Sequence, residues 1–293
     1  MSPLESFFDH IVVINLARRQ DRLSHFAAEM KQIGITKWER FNAIDAGPLG
    51  NHGCSASHRA VMDMIVRNGW RNCMVFEDDA TVRDPYRGSF NEEVAPVFDE
   101  CPDDFDMLYL GGHYGNDPRG WFSRHLILMG QMKTTSSYGV TLKSARELRD
   151  IIPVGTGDSI DNLYGGYNES KLCLISEPRF FVQYNNYSDL QKRPMNNTPC
   201  MEDTGHVSRL GNIGKHGKRP NKVEAPPLPP PPEPVPPPPL APIIPPEPPP
   251  KSEISWHGGP KRKLRRKLKT NPPAIPHTSP SAKRCFWPFR ART

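Results

Sequence analysis

Apolar runs and amphipathic stretches alternate along the first two hundred residues. His10 to Leu16 (HIVVINL) is rich in β-branched residues and reads as a strand. It runs into the polar turn Ala17-Arg18-Arg19-Gln20-Asp21-Arg22. Leu23, Phe26, Ala27, Met30 and Ile33 then recur at helical spacing, and Gly34 supplies a stop. Lys37 to Ile44 reads as a second short strand, followed by Asp45-Ala46-Gly47. From Gly53 a helix is expected to about Arg67, with Val61, Met62, Ile65 and Val66 as its apolar face. Ser55 or Ser57 would cap its start, and Asn68-Gly69 would end it.

The stretch that organises the chain comes next. Met74 to Phe76 is a short apolar run that ends abruptly in Glu77-Asp78-Asp79. Such a run predicts a buried strand in a largely parallel sheet. The acids then fall at its carboxyl end, where open α/β sheets bind ligands. Three adjacent carboxylates repel one another, and burying them unpaired is costly. A divalent cation relieves that cost, and oxygen ligands suit Mn²⁺ or Mg²⁺. Acidic runs are also commonly solvated loop residues. Alone, the string suits a nuclease, a phosphatase or a sugar-nucleotide enzyme.

Composition changes the picture by separating the chain into parts. Of 34 prolines, 17 fall between Asn221 and Pro250. Residues 251–293 carry 12 Lys or Arg against Glu253, a net +11, and residues 221–250 carry −2. The overall charge is +6, so residues 1–220 carry −3. The basicity describes the tail and not the folded part. The expected division is a domain over 1–205, a linker over 206–220, a proline-rich disordered segment over 221–250 and a basic disordered tail over 251–293. The six cysteines show no C-x-x-C spacing, which fits a reduced, intracellular protein. MSPLESFFDH has no signal-peptide pattern, and no apolar run reaches membrane-span length, so a cytoplasmic location is expected.

Smaller signals surround the acids. Arg18, Arg19 and Arg22 suit a diphosphate or a ribose, or simply a solvated helix start. Asp45, just after the second strand, is placed for a ribose or base contact, although a lone Asp in a turn is more often structural. His58 lies in the first expected turn of its helix and reads more readily as a packed residue than as a ligand.

Three pieces in order carry a resemblance: INLARRQDR (Ile14–Arg22), GCSASH (Gly53–His58) and VFEDDA (Val75–Ala80). Together they resemble glycosyltransferase family 25, the lipopolysaccharide and collagen-type galactosyltransferase relatives. Asp106 to Gly111, Ser137 to Val140 with Ser144-Ala145, Ser159 to Leu163, and Pro178 to Leu190 with Gln183 and Ser188-Asp189 extend it. The resemblance covers about residues 8–190. Two departures stand out: His52 replaces a frequent Glu, and Ser159 replaces the proline of the late motif.

The resemblance implies an α/β, GT-A-like (Rossmann-like) domain with a mixed central sheet. It implies a metal-dependent, inverting transfer of a hexose, galactose or glucose, from a UDP-sugar to a glycan, lipid-linked glycan or protein hydroxyl. Asn15, Arg18, Arg22, Asp45, Ser57, His58 and Glu77 would bind the nucleotide sugar. Asp79 and Asp78 would hold Mn²⁺ or Mg²⁺. Asp161 would be the general base, with Asp158 close behind. The rival expectation is a catalytically inactive transferase fold kept as a scaffold.

The tail suggests partners of other kinds. PPLPPPPEPVPPPPLAP favours polyproline II, either as a spacer or as a ligand for SH3- or WW-type domains. KRKLRRKLK, with Phe286, Trp287 and Phe289 beyond it, suits an anionic membrane. A nuclear import signal or a nucleic-acid contact fits the basic block as well. Of these partners, nucleic acid is not the expected one.

Overall fold

The structure is a computed structural model and describes residues 1–210. The proline-rich and basic segments lie outside the described residues. Elements follow in the order α1 (Pro3–Phe7), β1 (His10–Asn15), α2 (Gln20–Gln32), β2 (Glu39–Asn42), α3 (Gly50–Asn68), β3 (Asn72–Glu77), β4 (Ala80–Val82) and α4 (Phe90–Glu100). Then come β5 (Met107–Tyr109), β6 (Gly120–Trp121), β7 (Leu126–Leu128), β8 (Ser137–Thr141), α5 (Leu142–Ile151), α6 (Ile160–Ser170) and β9 (Cys173–Ser176). The last are β10 (Phe181–Gln183), β11 (Asn186–Ser188), β12 (Arg193–Met195), α7 (Thr198–Glu202) and α8 (Gly205–Ser208).

Eight strands form the central sheet in the order β2-β1-β3-β8-β5-β9-β7-β6. β1 runs parallel to β2 and β3, and β5 runs parallel to β9. β8 enters between β3 and β5 antiparallel to both, and β7 is antiparallel to β9. The sheet is therefore mixed, not largely parallel as the β3 run alone suggests. The α/β class with a mixed central sheet, implied by the family resemblance, is the fold found.

Both faces of the sheet are covered, which explains the unbroken apolar runs. In β1, Ile11 and Val13 pack with Phe26, Met30 and Val94 on one side. Val12 and Ile14 pack with Val61, Met62, Ile65 and Leu148 on the other. β3 alternates likewise, with Met74 and Phe76 on the first side and Cys73 and Val75 on the second. The strand therefore reaches its last residue rigidly held from both sides, and Glu77-Asp78-Asp79 inherits that rigidity.

α3 starts three residues earlier than expected, at Gly50. Ser55 and Ser57 are thus interior residues, each 1% exposed, and neither is the cap. Gly53 explains why the chain can do this. A Cβ there would lie 2.5 Å from the Ile44 carbonyl oxygen, so only glycine lets the loop after β2 lie against the helix. Ser57 finishes the seam: its Oγ donates to Gly53 O at 2.7 Å and accepts from Ile44 N at 2.8 Å. At the far end, Gly69 adopts φ 65° and terminates the helix as expected.

Candidate active site

The three acids that end β3 have three different surroundings. Asp78 is 5% exposed, and both its oxygens are engaged: Arg22 Nη1 donates at 2.7 Å and Asn15 Nδ2 at 2.6 Å. Asp79 is 8% exposed, but its partners are farther off. Gln183 Nε2 donates at 3.2 Å and Arg22 Nη1 lies 3.4 Å away. Glu77 accepts from Thr135 Oγ1 at 2.5 Å and from Gln183 Nε2 at 3.3 Å, and His58 Nε2 lies 3.5 Å from it.

Charge balance follows from these contacts. Burial raises Glu77, but His58, Thr135 and Arg22 outweigh it and hold the carboxyl below its ordinary range. Burial raises Asp78, with Arg22 and Asn15 opposing. Burial pushes Asp79 up to about 7, against the pull of Arg22 and with Glu77 and Asp78 adding repulsion. Asp79 is the carboxylate whose charge is least compensated.

α3 supplies the next layer. His58 is 1% exposed, and its Nδ1 shares a hydrogen bond with the Tyr138 hydroxyl at 2.7 Å. It thus braces Glu77 at the end of β3. Ser57 serves the β2–α3 seam and touches no carboxylate. Ser55 Oγ donates to Asp158 O at 2.8 Å, which ties α3 to the loop before α6. That tie brings Asp161, in the first turn of α6, towards the β3 acids. Asp161 is half-buried; burial raises its carboxyl and Glu77 adds to the rise. Cys54 lies within the field of Glu77, Asp161 and Asp79 together. Asp158 differs: its side chain is exposed and accepts from Thr156 Oγ1 at 3.2 Å.

The basic turn is already occupied by the chain's own oxygens. Arg18 pairs with Asp45 and, at 3.1 Å, with Asp189. Arg19 grips Asp21 with two nitrogens, at 2.9 and 2.8 Å, and also pairs with Asp189. Arg22 reaches past Asp78 to Asn186 and to Tyr187 O at 3.2 Å. Asn15 accepts from Arg40 Nε at 2.8 Å and donates to Arg19 O at 3.0 Å. Asp45 also accepts from Gly47 N at 2.9 Å, the turn contact that a lone Asp most often makes. Thr135, Tyr138, Gln183 and Asn186 complete the site. Gln183 and Asn186 fall in the family-like closing segment; nothing in the local pattern marks Thr135.

Among the described residues, no three His, Cys, Asp or Glu side chains converge as a ready-made metal cluster. A cation held by one carboxylate plus substrate phosphate oxygens needs no such cluster. Asp79 fits that role: its contacts are long and its charge is under-compensated. Asp78 fits it less well, because short hydrogen bonds engage both oxygens.

No family model matches the chain. Over 176 residues it is 26% identical to the human protein named inactive glycosyltransferase 25 family member 3, covering 50% of this chain and 29% of that one. Over 177 residues it is 25% identical to the glycosyltransferase 25 family member of Aedes aegypti, covering 50% and 28%. By sequence the chain is similar to members of the glycosyltransferase 25 family. It spans less than a third of the length of those relatives. Among solved structures, it is similar to a glycosyltransferase involved in the glycosylation of the major capsid of PBCV-1, at 8% identity and a TM-score of 0.33 over 57% of this chain and 91% of that one. A197 from STIV gives 10% identity and a TM-score of 0.33 over 60% and 93%. Both structural likenesses are remote.

Proposed function

We propose that this glycosyltransferase 25 relative moves a hexose, galactose or glucose, from a UDP-sugar to a hydroxyl of a glycan, lipid-linked glycan or protein, with inversion. One observation carries the reading. A rigid strand end presents an under-compensated carboxylate, Asp79, beside an ionised Glu77, and the first turn of α6 brings Asp161 within the field of Glu77.

The chemistry follows from that arrangement. The leaving diphosphate is anionic, yet Glu77, Asp78, Asp79 and Asp161 face it with Arg22 as their nearest guanidinium. A bare diphosphate would be repelled. A Mn²⁺ or Mg²⁺ ion at Asp79 would supply the missing positive charge and orient both phosphates. Asp161 would take the proton of the acceptor hydroxyl. Burial raises its half-buried carboxyl above the ordinary value, which makes it a stronger base. Glu77, held by Thr135 and braced by His58, would face the ribose. Arg18, whose side chain is 43% exposed, is the arginine best placed to meet the nucleotide. Asn15, Arg22 and Ser57 would hold the frame, with Asp45 setting Arg18.

The test is turnover of UDP-hexoses with and without EDTA, and with Asp79→Asn. EDTA should abolish turnover, and the variant should lose about 10²–10³-fold. Undiminished turnover in either arm removes the metal from the reading. The rival, an inactive scaffold, is favoured by the word in the human relative's name and by Ser159 in the late motif. It predicts no transfer to any acceptor even where UDP stabilises the fold. The proposed setting is cytoplasmic. Cys54, Cys73, Cys101 and Cys173 form no disulfide, and no helix among the described residues is long and apolar enough to cross a membrane. The tail would supply an SH3- or WW-type ligand or a contact with an anionic membrane.

A further inference from the structure

The β11–β12 hairpin is attached to the domain in an unusual way. From Asn186 to Met195 no residue is buried. Its strands pair with each other and with no strand of the central sheet. Apolar packing therefore contributes little to holding it down. Polar links to the basic turn do that work: Asp189 to Arg18 at 3.1 Å and to Arg19, Tyr187 O to Arg19 at 3.1 Å and to Arg22 at 3.2 Å, and Asn186 to Arg22. Arg22 also holds Asp78 and Asp79, so one guanidinium separates the hairpin from the strand-end acids. Segments held this way open at the low end of the stability range.

We propose that this hairpin is a flap over the nucleotide-sugar site, latched in the free protein by Asp189. Asp189 is a carboxylate seated on two arginines at the edge of the site. A diphosphate offers more charge and more acceptor oxygens to the same nitrogens. Donor binding takes Arg18 and the Asp189-facing nitrogen of Arg19 from the latch, and the flap lifts. The latch is an autoinhibitory contact that rests on the nucleotide-sugar reading for its ligand but not for its existence.

The latch is read on the full chain by limited trypsin digestion. Lys192 and Arg193 are both exposed at the hairpin, and Pro194 protects the bond after Arg193, so cleavage falls after Lys192. Mass spectrometry of that one cut, with the thermal midpoint as a folding control, gives the rate. Asp189→Asn should speed it about fivefold, as two partly exposed ion pairs are lost, and should tighten binding of UDP with Mn²⁺. An unchanged rate overturns the latch. Weaker UDP binding in the variant also overturns it and makes Asp189 a donor-positioning group instead. A second variant pins the flap. A Cβ at Gly50 would lie 3.4 Å from Leu190 Cα, within reach of a Gly50→Cys, Leu190→Cys staple. The oxidised staple should slow the cut and weaken UDP binding, and reduction should restore both. Binding unchanged by the staple overturns the lifting step. If UDP binds in no form of the protein, the transferase reading fails, and the cleavage rates still decide the latch.

Discussion

The end of β3 and the start of α6 carry acids of the same chemistry in opposite settings. At β3 the carboxylates sit on a strand packed on both faces, and Asp78 and Asp79 are nearly covered. At α6 they sit on a loop and a first turn, with Asp158 exposed and Asp161 half-buried. Within each pair the difference is larger than between the pairs. Asp78 spends its charge on Arg22 and Asn15, whereas Asp79 beside it is left at a raised pKa near 7. Asp158 turns to Thr156, whereas Asp161 three residues on feels Glu77. Surroundings, and not residue type, set how far each carboxylate's charge is compensated.

The sharpest test sits at α6. If Asp161 is the base, Asp161→Asn should lower kcat by about 10²–10⁴-fold, the usual range for a lost proton acceptor. Asp158→Asn, changing an exposed side chain, should leave kcat within about twofold. Steady-state kinetics of both variants decides, and a reversed order would exchange the two roles.

The next effect is on stability. Arg22→Met leaves Asp78 and Asp79 buried without their guanidinium and cuts the hairpin's inner link. Breaking a buried pair from one side costs about 3–5 kcal/mol, measured by urea unfolding. Adding Asp78→Asn should recover part of the loss, because the two changes share one contact. Full additivity would mean that Arg22 does not hold Asp78.

Asp79 gives a smaller, signed effect. Its carboxyl moves from an ordinary 3.8 to about 7 on folding, so between those values the folded chain binds the extra proton. Its contribution to stability is therefore fully present below about 3.8 and is lost as pH rises towards 7. Glu77, held below its ordinary range, has the opposite sign and loses its contribution as pH falls. Comparing Asp79→Asn with the parent isolates the first. Without metal, the variant's thermal midpoint should gain on the parent from pH 4 to pH 7, and Mn²⁺ should raise the parent's midpoint alone.

Much of this architecture was legible in the chain. Continuous apolar runs announce strands covered on both faces, and β1, α2 and β3 lie within a few residues of where periodicity puts them. Strand direction was not legible. The run at Ser137–Thr141 looks the same whether it pairs parallel or antiparallel, so the mixed sheet followed only from the family resemblance. The start of α3 was misread because serine is a common cap, whereas here Gly53 and Ser57 make a seam with a distant loop. The partners of the arginines were not legible for a related reason. A basic turn suggests an anion site, and the acids that fill it in the free protein, Asp45 and Asp189, lie 27 and 171 residues from Arg18. Thr135 carries no local signal because its contact with Glu77 is tertiary, and the link from Asn186 to Arg22 is tertiary as well.

The smallest predicted effect joins the two acidic groups. Ser55 Oγ donates to Asp158 O at 2.8 Å and, with Arg59 Nη1 to Ile152 O at 2.5 Å, ties α3 to the segment that delivers Asp161. Ser55→Ala removes one buried donor and costs about 1 kcal/mol, small enough for the fold to persist. Its use lies in the ratio of effects. If the loop merely packs nearby, kcat should be unchanged while the midpoint falls. If the bond sets where Asp161 stands, kcat should fall by about tenfold with KM for the donor unchanged, because a base displaced by a fraction of an ångström loses catalysis before the nucleotide loses affinity. A rise in donor KM with unchanged kcat would place the loop on the nucleotide side of the site and move the base away from α6.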